Sequence, residues 1–179
     1  MEGISKFCEQ LSMDPLEDVR ILVLLWKMGA KDKPGTITKA EWMTGCRSLP
    51  ADRLDQFQSL IPSLDTGFLD KIEFKDFYKF CFQFNRQGTH KTLDQELAIA
   101  LMILVLKDRL SNNRLTAFFQ FLEHFATQYS RITLDQWCSF LDFCLECDDL
   151  STYDEVNSAW PVMIDEFVEY LEEQGRGHL

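Results

Sequence analysis

A twelve-residue stretch, Ala30–Glu41 (AKDKPGTITKAE), constrains this chain more than any other. It lies between the apolar helical run Pro15–Met28 and a second helical segment, Lys39–Arg47. Gly35 stands sixth, Ile37 eighth and Glu41 twelfth, which is the skeleton of an EF-hand calcium loop. A turn glycine and a terminal glutamate at that spacing dictate helix–loop–helix. They do not dictate a metal. Ala30, in first position, has no side-chain oxygen, and Pro34 occupies the fifth; Asp32 and Glu41 leave two carboxylates where roughly six to eight oxygens are needed. A second stretch, Asp65–Asp76 (DTGFLDKIEFKD), has Ile72 in eighth position but Gly67 third, Leu69 fifth and Asp70 where glycine belongs. The expectation is a scaffold without metal or other cofactor, its two loops paired through Ile37 and Ile72.

The rest of the chain extends the helical reading. Five prolines and eight glycines among 179 residues leave long stretches with nothing to interrupt a helix, and 46% hydrophobic residues argue against disorder. Helices are expected over Gly3–Leu11, Ala51–Ile61, Glu73–Phe84, Leu93–Lys107, Leu115–Tyr129 and Thr133 to about Glu146, and from Pro161 to about Glu173. Thr92 and Gln95 have the spacing of a capping box, and Asn112-Asn113 reads as a break. The polar link Asn85–Thr92 marks a lobe boundary, giving an all-α fold with an EF-hand-like lobe at residues 1–88 and a second helical lobe at 89–179. The longest apolar run, Leu97–Leu106, is too short to span a bilayer, and the opening MEGISKF does not read as a secretory leader.

Charge is distributed unevenly. Between Ile132 and Gly175 there is no Lys or Arg but twelve Asp and Glu, so this segment carries −12 and the rest of the chain +1 of the net −11. Such a segment repels phosphate, which argues against nucleic acid and anionic membrane as partners; it reads either as a solvated acidic face that aids solubility or as a docking surface for a basic protein. In the last helix Asp165, Glu169 and Glu172 stack along one side, a like-charge arrangement that costs a helix a few tenths of a kcal/mol per pair, roughly. Asp135 sits near a helix start, where a carboxylate suits the dipole.

No catalytic constellation is legible. His90, His124 and His178 have no nucleophile beside them, and phosphate-loop, HExxH and GxSxG patterns are missing. Cys144 and Cys147 form a single CxxC without a second pair or a nearby His, and read as buried helix positions. Six scattered cysteines suit reduced thiols in the cytoplasm or nucleus. At this level a protein-docking module and a calcium-independent EF-hand-like regulatory module both fit.

Four tracts go further: EFKDFYKFCFQF (Glu73–Phe84), LDQELAIALMILVL (Leu93–Leu106), ITLDQW (Ile132–Trp137), and Tyr153-Asp154-Glu155 followed by SAWPVMIDEF (Ser158–Phe167). In this order, over nearly the whole chain, they resemble the potentiating-neddylation (PONY) domain of the defective-in-cullin-neddylation family. Family members often carry a ubiquitin-associated domain, which has no counterpart in these residues. The resemblance implies a non-catalytic co-E3 scaffold. It would hold the C-terminal winged-helix subdomain of a cullin beside a neddylation E2, with a RING protein of the cullin complex acting alongside.

Two sets of site residues carry over. The family's cullin-binding Asp, Ala and Asp match Asp135, Ala159 and Asp165. Its pocket for the N-acetylated terminal Met of the E2 matches Ile4, Ile21, Leu22, Leu24, Ile37, Phe84, Leu101 and Leu104. Acetylation removes the terminal charge, so an apolar cavity can take this end without burying an ammonium. The chain departs from the family at Pro34, where a Gln is usual, and at Leu101, where a Tyr is usual.

Overall fold

The computed structural model describes residues 2–147, 153 and 160–175. Among them the fold is all-α apart from one two-stranded pairing. The chain divides into two compact units, Met1–His90 and Lys91–Leu179.

The first unit contains α1 (Glu2–Gln10), α2 (Arg20–Lys27), α3 (Lys39–Ser48), α4 (Leu54–Leu60) and α5 (Lys71–Phe84). Helix α2 is shorter than the apolar run that predicts it. The Asp14 carboxylate accepts from the Leu16 amide at 2.8 Å and that of Asp18 from the Arg20 amide at 3.0 Å, so local side-chain bonds hold residues 14–19 in turns. On α5, Phe74, Phe77, Tyr78, Cys81 and Phe82 are buried at helical spacing, and the helix packs on α2. Where α2 ends and α3 passes, no side chain fits: a Cβ on Gly45 would lie 2.7 Å from the Cβ of Met28.

The stretch Asp65–Asp76 is not a second EF-hand loop. Thr66–Phe68 forms a 3-10 turn, and Asp70 caps α5, accepting from the amides of Ile72 and Glu73 at 2.8 Å each. Ile72 therefore lies in the first turn of α5 and is 80% exposed, so the expected pairing with Ile37 does not form.

In the second unit come β1 (Leu93–Asp94), α6 (Gln95–Leu106), α7 (Asn112–His124), β2 (Arg131–Ile132), α8 (Leu134–Glu146) and α9 (Val162–Glu173). Here a short pairing does occur: β1 and β2 run antiparallel, with Leu93 opposite Ile132 and both side chains buried. The expected capping box at Thr92 is replaced by this pairing. The Thr92 hydroxyl accepts from Arg131 Nε at 2.6 Å, and Gln95 donates instead to the carbonyls of Leu122 and Tyr129. Nor do Asn112 and Asn113 break the chain: Ser111 caps α7, and both asparagines occupy its first turn. At α8 the helix expected to open at Thr133 does so, and Thr133 and Gln136 form a capping box there. Pro161 sits one position outside α9, as its N-cap.

The core of this unit is aromatic. Phe118 stacks on Phe140 at 3.8 Å between centroids, and Phe167 packs edge-on to Phe118 at 5.1 Å and to Phe143 at 6.1 Å. Arg114 is buried among them; its guanidinium donates to the Cys144 carbonyl at 3.2 Å and lies over the Phe143 ring.

Candidate functional site

The first unit carries an open groove of about 730 Å³ between α1, the Ala30–Glu41 loop and α3. Ile4, Phe7, Ile37 and Trp42 supply its half-buried apolar lining, and Leu25 its floor. Phe7 and Trp42 meet edge to face at 5.1 Å, and both pack on Phe57 beneath. Lys6, Gln10, Thr36 and Lys39 make a polar rim. An apolar concavity with a few polar groups at its edge is the usual form of a binding site for a small group.

Of the eight residues that the family resemblance places in a pocket, Ile4 and Ile37 line this groove. Ile21, Leu22, Leu24 and Phe84 are buried in the first unit without lining it. Leu101 and Leu104 are buried in the second unit, on α6. Phe7 and Trp42 are groove residues that the reading of the chain missed.

The loop's geometry accounts for Glu41. One carboxylate oxygen accepts from the amides of Lys31 and Asp32 at 2.7 and 2.8 Å; the other accepts from the Thr38 amide and hydroxyl at 2.8 and 2.9 Å. Both oxygens that would bind calcium from this position are thus engaged by the loop itself. Burial works to raise the carboxyl, but the donors from Thr38, Asp32 and Lys31 outweigh it and hold the group below its ordinary value. A depressed carboxyl contributes stability above its unfolded-state value and loses it as pH falls through the folded one. The stability difference between wild type and Glu41→Gln is therefore expected to be full at neutral pH and to shrink on acidification below about pH 4. Denaturant titrations at a series of pH values measure it.

In the second unit, Asp135 is exposed in the first turn of α8, and Asp165 is half-buried in the first turn of α9, which packs on α8. Ala159 lies outside the described residues. Two acids of α9 are anchored by neutral donors: the Tyr153 hydroxyl donates to Asp165, and the Tyr129 hydroxyl and Gln128 amide donate to Glu166. Burial, and then the Glu166 carboxylate, push the Tyr129 phenol well above its ordinary value, so it stays a donor. Glu169, Glu172 and Glu173 are exposed on the same helix. An acidic face of this kind attracts a cationic surface and orients it before contact. Cys144 and Cys147 are buried, and burial raises the Cys144 thiol to about 12, which leaves it without thiolate reactivity at neutral pH.

Residues 56–170 match the model of the family described as "Cullin binding". Human DCN1-like protein 4 is 37% identical over 174 residues, and rat DCN1-like protein 5 is 37% identical over 170. The chain belongs to the defective-in-cullin-neddylation (DCN1-like) family. DCN1-like protein 4 of Drosophila melanogaster, at 35% over 171 residues, lies at a similar distance. The aligned region takes up 97% of this chain but 57% of the human protein, against 94% and 69% for the rat relative. The DCN1-like match to the "Cullin binding" model includes both described acids, Asp135 and Asp165, while Ile4 and Ile37 precede it.

Proposed function

We propose that this chain is a non-catalytic scaffold that promotes cullin neddylation. Its acidic face would bind the winged-helix subdomain of a cullin, and its groove the N-acetylated terminus of the neddylation E2; the RING protein of the cullin complex would act without direct contact. The observation that carries the reading is the "Cullin binding" match over residues 56–170, within which the first turns of α8 and α9 hold Asp135 and Asp165 in a segment without basic residues.

No chemical group is required of such a scaffold. Two reactants held in one complex react as if at a raised local concentration, and that lowers the barrier. The scattered spacing of the six cysteines is what suggests a reducing compartment, cytoplasm or nucleus, for this activity. Reconstituted cullin modification, with and without the protein, tests the proposal directly; an unchanged rate refutes it. Salt dependence separates the two contacts. Cullin affinity is expected to fall severalfold between low and physiological ionic strength, because exposed charges are screened over about 8 Å. Affinity for an acetyl-methionine peptide of the E2 is expected to change little with salt and to collapse without the acetyl group. Calorimetry over a salt series reads both.

A further inference from the structure

We propose that Glu41 is a positioning residue for the groove, holding its loop wall in the shape that receives a chain end. This rests on the groove being the acetyl-terminus site. Glu41 is not among the lining residues, but Thr36, Ile37, Thr38 and Lys39, which precede it, are. As the third residue of α3 it would need to serve only Thr38 to complete a helix cap. It does more: its other oxygen reaches back to Lys31 and Asp32, at the start of the loop. The two ends of the loop are therefore tied through one carboxylate, where a calcium loop would be tied through an ion. A third point is fixed by the Gly35 amide, which donates to the Phe84 carbonyl at 2.6 Å; Gly35 adopts a φ of +67° to do so. Between these anchors Ile37 has little freedom, and a wall ordered in advance loses no entropy when a ligand arrives.

The test uses the whole chain and an acetyl-methionine peptide as probe. Glu41→Ala is expected to weaken peptide binding roughly tenfold and to speed hydrogen exchange at the amides of Lys31, Asp32 and Thr38. Glu41→Gln, which keeps one accepting oxygen, should fall between. Asp70→Ala removes a helix cap in the same unit and away from the groove, so it serves as a control for general destabilisation; it should lower the thermal midpoint and leave peptide affinity within about twofold. The proposal is overturned if Glu41→Ala binds the peptide as wild type does, or if Asp70→Ala weakens binding as much. Should wild type ignore the peptide, the reading of the groove falls separately. The tie is then judged by exchange alone, and unchanged protection at the three amides in Glu41→Ala overturns it.

Discussion

Asp165→Lys is expected to weaken cullin binding by about 2 kcal/mol or more, some thirtyfold in Kd, and to remove stimulation of cullin modification. The substitution acts twice. It sets a cation against a basic client, and it deprives the Tyr153 hydroxyl of its acceptor. Asp165→Asn separates the two effects, since an amide oxygen still accepts from Tyr153 while the charge is gone; its loss should be intermediate. Acetyl-methionine peptide binding, assigned to the other unit, should stay within about twofold in both variants. Pull-down and calorimetry with a cullin winged-helix fragment, beside circular dichroism as a check on folding, decide the matter. A folded Asp165→Lys protein that keeps its cullin would leave the acidic face without a role.

The second large effect concerns the core that carries this face. Phe167 is fully buried and packs against Phe118, Phe121, Phe140 and Phe143. Phe167→Ala is expected to cost roughly 3–5 kcal/mol, because rings packed on one another leave a cavity that neighbours cannot close. In a chain of this length the thermal midpoint should drop by about 10 °C. Phe68→Ala is the counterpart: Phe68 is 73% exposed, and its loss should stay within about 0.5 kcal/mol. Thermal and denaturant unfolding compare the two. A small effect of Phe167→Ala would mean that α9 is not held by this cluster.

The helices were legible because their apolar spacing is regular. Phe74, Phe77 and Tyr78 announce α5, and Thr133 marks the start of α8 within a residue. What failed were the places where a polar side chain had a choice of partner. Thr92 and Gln95 have the spacing of a capping box, yet Arg131, distant in sequence, claims the threonine and two distant carbonyls claim the glutamine. Ile72 has the right position in a twelve-residue frame, but Asp70 caps a helix there first. The acidic face could be read from a charge count alone, since nothing basic interrupts it. The groove could be read only in part. Ile4 and Ile37 were identifiable by resemblance, whereas Phe7 and Trp42 become neighbours through the packing of α1 on α3, which no local pattern records.

Calcium sensors work by prying two helices apart when the ion arrives, exposing a surface that was closed. At Gly45 this protein brings the backbone of α3 against the side chain of Met28 so tightly that no methyl group would fit. Parting the two helices would give up this close contact. On the proposed reading the groove beside α3 needs no ion to part these helices, so capture would be governed by encounter and fit with no preceding signal.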